Sequence, residues 1–300
     1  MGQVASGLRN GEIRMANDER KCIGSNDVFH SSFAIRISSF VFSFFRSSRR
    51  KKLLAEPFPP AWLEVLKQNV GHYALLPVEL QQRLRDTTKI LIAERTFVGA
   101  SGLVVSDEMK VTVAAQAALL LLGASGYYFD RMGEVFLYPR RVKAALTTYQ
   151  HRLHSGLGFV DEDAINLGEA WHDRRVRLSW PDVLRGGRDA RDGMNLVLHE
   201  FAHHLDGLDG DMGGLPPQET RTQKVRWEAV IDQEYSRLLH DIEVGHDTLL
   251  DPYGAENKAE FFAVATECFY EQPRELQQDL PDLYAILRDF YKVDPAEWGW

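Results

Sequence analysis

The residues best suited to chemistry lie in the stretch His199-Glu200-Phe201-Ala202-His203, which has the pattern H-E-x-x-H. On a helix, residues four apart lie on one face about one turn apart, so both histidines can bind a single metal ion. Glu200 leans toward the same side and can take a proton from an attacking water molecule. This layout is typical of zinc-dependent hydrolases. We predict Zn²⁺ as the cofactor, His199 and His203 as ligands, and Glu200 as the general base.

The residues around this pattern indicate a buried helix. Six apolar residues share its helical spacing, namely Leu196, Val197, Leu198, Phe201, Ala202 and Leu205. Histidine and glutamate side chains inside such a helix are costly unless they coordinate something, which favours a metal site. His204 points about 100° away from His203, so we expect it at the surface or behind the ligands.

A catalytic zinc site needs a third protein ligand and leaves one position open to water. Asp209, six residues after His203, stands where an extended form of the pattern has its third ligand. That form also needs glycine three residues after the second histidine, but Asp206 is at this position and Gly207 follows one residue late. Asp209 therefore stays a weaker alternative, since aspartates are also ordinary helix-end and turn residues.

A second apolar helix, predicted over residues 258–270, contains Glu260 and Glu267. The two carboxylates are seven residues apart and so share nearly one helix face, and buried carboxylates are expected to be paired or to coordinate. We predict Glu260 as the third ligand, with the alternative that it only caps the helix together with Asn257. Glu267 could equally be the ligand, but accepting a hydrogen bond from a ligating imidazole suits it better.

The hydrophobic pattern predicts an α+β fold that is mainly helical, with a small sheet beside the helix of the His-Glu pattern. The stretches with helical spacing are residues 62–91, 111–122, 219–240, 257–271 and 281–292. The strand candidates are Leu103–Val105, Val135–Tyr138 and Val176–Trp180. Residues 1–41 show no sustained period, so we expect a disordered N-terminal extension before one domain over residues 42–300.

Composition narrows the choice of partners. The net charge is −8, although residues 1–52 carry ten basic and four acidic side chains, so the rest of the chain is strongly acidic. An acidic body argues against direct nucleic-acid binding. Cys22 and Cys268 are too far apart in the chain to suggest a disulfide framework, which favours a cytoplasmic protein. The apolar stretches are too short for stable membrane insertion.

Two separated motifs carry a family resemblance. The first is His199–Asp206 and the second is Tyr253–Val264, and similarity continues upstream through Val111–Gly123, Val135–Pro139 and Gly168–Trp171. Together they resemble the Mlc titration factor A family of bacterial zinc peptidases over roughly residues 42–292.

The resemblance implies a zincin-like metallopeptidase domain over residues 42–300, similar in its catalytic fold to the metalloprotease domain of anthrax lethal factor. It implies zinc held by His199, His203 and Glu260, with Glu200 as general base. Tyr253, seven residues before the glutamate ligand, is then expected to assist the reaction. The family further implies aminopeptidase activity on peptide substrates. The alternative function is that of a regulatory protein that sequesters a transcriptional repressor of sugar-uptake genes.

Overall fold

The computed structural model describes residues 46–140 and 175–300. The described residues from Arg50 onward belong to one compact unit, which contains every helix and strand named below, and residues 46–49 belong to a separate unit. The proposed extension at residues 1–41 and the family motif at Gly168–Trp171 lie outside the described residues. The domain boundary near residue 42 therefore stays a prediction.

Helices α1 to α4 lie between residues 60 and 119. They are α1 (Pro60–Asn69), α2 (His72–Leu75), α3 (Val78–Glu94) and α4 (Asp107–Leu119). Helix α4 begins where the side chain of Ser106 accepts a hydrogen bond from the backbone N–H of Met109. Its residues from Val111 to Leu119 are all buried, as the strongly apolar run predicts. Helix α4 packs against α1, α3 and the helix that carries the His-Glu pattern, so it lies in the core.

A three-stranded parallel sheet stands at one side of the core. Its strands are β1 (Thr96–Gly99), β2 (Glu134–Tyr138) and β3 (Val176–Ser179), and β2 lies in the centre. In the register of the sheet, Phe97 pairs with Val135, and Leu137 pairs with Leu178. The predicted strands at 135–138 and 176–180 are thus present, although Trp180 already begins a helix.

The strand predicted at Leu103–Val105 is wrong. These residues form a loop, and the strand lies earlier, at Thr96–Gly99. After β1, Ser101 and Gly102 adopt positive φ angles of 51° and 78°, which turn the chain back on itself. The returning loop lies so close to β1 that a Cβ on Gly99 would overlap the carbonyl oxygen of Leu103.

Two buried helices face each other at the centre of the unit. The motif helix, α6 (Leu196–Asp206), follows the short helix α5 (Trp180–Arg188) and packs against β3. The carboxylate helix, α8 (Lys258–Glu271), packs directly on the motif helix and is buried from Ala259 to Glu271. Around them lie α7 (Arg221–Val244), α9 (Pro273–Asp279) and α10 (Pro281–Tyr291).

The predicted fold class is confirmed, since the protein is mainly helical with a small sheet beside the motif helix. Within residues 46–140 and 175–300, no helix combines the length and the apolar character that a bilayer crossing requires.

Candidate metal centre

Three donor atoms from the two central helices converge at one point. His199, His203 and Glu260 each contribute one possible ligand atom, and these atoms all lie within 4.8 Å of one another. Oε2 of Glu260 lies 3.0 Å from Nε2 of His199 and 3.3 Å from Nε2 of His203. The two Nε2 atoms are 3.2 Å apart. All three residues are buried, so the cluster is shielded from bulk water.

The second ring nitrogen of His199 is held from behind by Glu267. Nδ1 of His199 lies 2.8 Å from Oε1 of Glu267, which is itself fully buried. Oε2 of the same carboxylate accepts the backbone N–H of Asn195, the residue that caps the motif helix. With its proton on Nδ1, the imidazole of His199 directs the lone pair of Nε2 into the cluster. This is the arrangement that orients a metal-binding histidine.

The electrostatics of the cluster suit a cation. Burial alone would lower the pKa of His199, but hydrogen bonds to Glu260 and Glu267 raise this pKa to about 10. Burial opposes ionisation of Glu260, yet hydrogen bonds from His199 and His203 hold its pKa well below the usual range. The cluster therefore holds a proton, and with it a positive charge, between the two imidazole nitrogens and the carboxylate of Glu260. A divalent ion can replace that proton, and two imidazoles with one carboxylate form a donor set that suits a catalytic zinc ion.

Glu200 lies on the more open side of the motif helix. Its side chain is half-buried, whereas His199 and His203 are almost fully buried. Burial raises the pKa of Glu200, partly offset by the charges of the two histidines. Within the described part of the chain, no hydrogen bond holds its carboxylate, so both oxygens can bind a proton from another molecule.

Tyr253 stands beside the cluster, on a short 3₁₀ turn over Pro252–Ala255. Its ring centroid lies 6.2 Å from that of His199. The turn is fixed because the side chain of Asp251 accepts the backbone N–H of Tyr253 at 2.8 Å. Behind it, Gly254 packs against Phe261 of the carboxylate helix, where a side chain would find little room.

The other candidates from the sequence lie away from the convergence point. Asp209 is exposed on the 3₁₀ turn that follows the motif helix and accepts the backbone N–H of Asp211. His204 is half-buried beside Phe201, outside the group of three donors, and burial lowers its pKa to about 4. Glu267 faces the outer nitrogen of His199 and not the convergence point.

Comparison with known proteins identifies the family of this chain. The family described as glucose-regulated metallo-peptidase M90 matches residues 45–292. The chain belongs to this family. The uncharacterized protein slr2042 of Synechocystis sp. is 35% identical over 249 residues, covering 82% of this chain and 89% of that protein. Mlc titration factor A of Yersinia pestis and that of Yersinia pseudotuberculosis are each 31% identical over 242 residues, covering 78% of this chain and 84% of theirs.

Membership of the M90 family confirms the resemblance to Mlc titration factor A and makes the chain a metallopeptidase. A divalent metal is accordingly part of its chemistry. Among residues 46–140 and 175–300, His199, His203 and Glu260 are the group whose atoms could hold one.

Sequence reasoning missed Glu271, the third carboxylate on the face of α8 that meets the motif helix. Its Oε1 accepts a hydrogen bond from Nδ2 of Asn195 at 3.1 Å, and its Oε2 accepts the backbone N–H of Met194 at 2.8 Å. Glu271 thus holds the residue that caps the motif helix. The signal was the spacing, because Glu271 lies four residues after Glu267 and eleven after Glu260, which places all three on one face.

Proposed function

We propose that this M90 protein is a zinc-dependent peptidase with His199, His203 and Glu260 as the metal ligands. The observation that supports this most strongly is the convergence of their three donor atoms within 4.8 Å, inside two packed helices. The hydrogen bond between Glu267 and Nδ1 of His199 adds support, since it leaves Nε2 as the coordinating atom. A fourth position left to water distinguishes a catalytic zinc site from a structural one.

In this proposal each residue near the cluster has one task. Zinc, when bound, supplies a Lewis acid that polarises the scissile carbonyl and activates a water molecule. Glu200 takes a proton from the attacking water on its carboxylate and passes it to the nitrogen of the leaving amine. The hydroxyl group of Tyr253 donates a hydrogen bond to the oxygen that gains negative charge. The half-buried position of Glu200 and the packing of Tyr253 beside His199 support these assignments.

The proposed substrates are peptides, cleaved from the amino terminus. The aminopeptidase preference rests on the family resemblance and not on a particular contact. It is tested with an aminoacyl p-nitroanilide, the same compound blocked at its amine, and an internally quenched peptide blocked at both ends. Cleavage of the first alone supports an aminopeptidase, and cleavage of the doubly blocked peptide contradicts it. The cytoplasmic location predicted from the cysteines likewise stays a prediction.

The site assignment is tested by zinc content and peptidase activity in wild type, Glu200→Gln and Glu260→Ala. We expect one zinc ion per wild-type chain, retained zinc with lost cleavage in Glu200→Gln, and lost zinc in Glu260→Ala. Glu275→Ala is a matched control, because Glu275 is exposed on α9. Full zinc retention in Glu260→Ala would exclude Glu260 as a ligand and return attention to Glu267 and Asp209.

A second candidate function is titration of Mlc, which the name Mlc titration factor A states for the relatives from Yersinia. In this role the chain would sequester a transcriptional repressor of sugar-uptake genes. Binding of purified Mlc to wild type and to Glu200→Gln separates the two functions. Equal binding by both proteins shows that sequestration does not need catalysis, and no binding by either removes this candidate.

A further inference from the structure

The loop after the motif helix returns to the first turn of the carboxylate helix through Gly214. Gly214 is buried, and its φ of +73° lies in the left-handed region that favours glycine. A Cβ on Gly214 would overlap the backbone carbonyl of Lys258, the first residue of α8. Lys258 is two residues before Glu260. This close approach therefore joins the loop to the turn that carries the proposed third ligand.

Both backbone polar groups of Gly214, the N–H and the carbonyl oxygen, form hydrogen bonds. Its N–H donates to Oδ2 of Asp206 at 2.8 Å, and Asp206 is the fully buried last residue of the motif helix. Its carbonyl oxygen accepts the indole N–H of Trp227 at 3.0 Å. Trp227 is itself buried, on α7. Gly214 cannot move without breaking one of these two bonds, so its backbone forms a fixed surface.

Glu260 belongs to the helical turn that contacts Gly214. It lies in the first turn of α8, where its backbone N–H donates to the side chain of Asn257. A shift of Lys258 would move this turn as a unit and carry the carboxylate of Glu260 away from the histidines. Asp206 lies three residues after His203, so the bond from Gly214 to Asp206 relates the end of one ligand helix to the start of the other.

We infer that Gly214 is a positioning residue for Glu260, which sets the spacing between the two helices that carry the metal ligands. This inference rests on the proposed metal centre. Gly214 would thus influence the affinity for the metal although it has no side chain. Substitution of an ordinary loop glycine would instead affect only the folding of the protein.

The loop contains its own control. Gly210 also has a positive φ, of +97°, but a Cβ there would meet no atom within 4 Å. Gly210→Ala and Gly214→Ala therefore introduce the same group into the same kind of backbone conformation. Only Gly214→Ala also pushes against Lys258.

The experiment measures the zinc dissociation constant of the full chain by competition with a chromophoric chelator, together with the visible spectrum of the Co²⁺-substituted protein. We expect Gly214→Ala to weaken zinc binding about 10–100-fold and to shift the Co²⁺ bands, as changes behind metal ligands do. We expect Gly210→Ala to keep the affinity and the spectrum of wild type. Equal affinity in the two variants would overturn the inference.

A second pair of variants covers the case in which Gly214→Ala does not fold. Asp206→Ala keeps the glycine but removes its hydrogen-bond acceptor, and we expect weaker zinc binding. Its control is Thr266→Val, which removes a buried hydrogen bond to Tyr291 elsewhere on α8. Equal zinc affinity in these two proteins also overturns the inference. A wild type that binds no zinc would overturn the metal centre itself, so the two failures are distinguishable.

Discussion

One carboxylate oxygen of Glu267 lies 2.8 Å from Nδ1 of His199, and the other accepts the N–H of Asn195 at the start of the same helix. Glu267 thus fixes both the ring of a proposed ligand and the backbone that carries it. We expect Glu267→Gln to weaken zinc binding about 10–100-fold, because the amide group turns an N–H toward one of these two donors. Chelator competition measures the effect, with Glu275→Gln as control. Unchanged affinity would show that the ring of His199 is held by packing alone.

Glu271→Ala is expected to destabilise the fold. It removes one of the two acceptors of the buried Asn195 side-chain amide, which keeps the carbonyl oxygen of Gly186, and one of the two acceptors of the Met194 backbone N–H, which keeps Oδ1 of Asp192. The N–H of Asn195 that loses its buried acceptor costs about 1–3 kcal/mol in the free energy of unfolding. Urea unfolding of the metal-free proteins measures the difference. Glu271→Gln, which keeps one acceptor oxygen, should lose less; equal losses in both variants would contradict this account.

The pH dependence of Glu271 has a definite sign. Burial, with the charges of Asp192 and Glu267, raises the pKa of Glu271 well above its ordinary value of 4.5. The folded protein therefore keeps a proton that the unfolded chain releases, and this group lowers stability as pH rises above 4.5. Glu271→Gln removes that loss. Relative to wild type, the variant should gain stability as pH rises above 4.5. Urea titrations measure this difference, and a difference that does not change with pH would contradict a buried neutral acid.

His72 gives the opposite dependence. Its ring is fully buried and its Nε2–H donates to the carbonyl oxygen of Tyr270. Burial lowers the pKa of His72 from 6.5 to about 4. Between pH 6.5 and pH 4 the unfolded chain binds a proton that the folded protein does not. Stability is therefore lost as pH falls from 6.5 toward 4. The contribution is about 3 kcal/mol. Urea titrations of wild type and His72→Gln measure it, since the variant should lack this part of the acid destabilisation.

Removal of metal should lower stability in proportion to occupancy. A ligand that binds only the folded protein at a free concentration 100 times its dissociation constant stabilises it by about 2.7 kcal/mol. We therefore expect EDTA to lower the melting temperature of wild type and zinc to restore it. Glu260→Ala should show neither change. A variant that responds to zinc like wild type would place the bound ion elsewhere.

The motif helix, its ligand spacing and the carboxylate helix were predictable because their signals are local. Helical periodicity and capping residues are readable within a dozen positions, and they place Glu260 and Glu267 on one face before any tertiary contact is known. The α+β class follows from the same patterns. The convergence of the three donor atoms could not be predicted from these local patterns, because His199 and Glu260 are 61 residues apart.

One missed feature follows from a local turn, and two depend on contacts between residues far apart in the chain. Leu103–Val105 has the composition of a strand, but the turn at Ser101 and Gly102 brings it back against β1 as a loop. Glu271 gains its meaning from Asn195, and Gly214 from Lys258. Glu271 and Asn195 are far apart in the chain, as are Gly214 and Lys258, and glutamate and glycine are also common in exposed loops and at helix ends.

The separation of 61 residues between His199 and Glu260 has a consequence for the order of folding. Two histidines on one turn form only part of a site, and the third donor arrives when the carboxylate helix docks on the motif helix. Zinc should then bind tightly only after the transition state for folding. Added zinc is expected to slow unfolding while leaving the refolding rate unchanged, which stopped-flow fluorescence can measure. Faster refolding with zinc would mean that the two helices meet early. The bound ion would thus prolong the lifetime of the folded protein without changing the rate at which the protein folds.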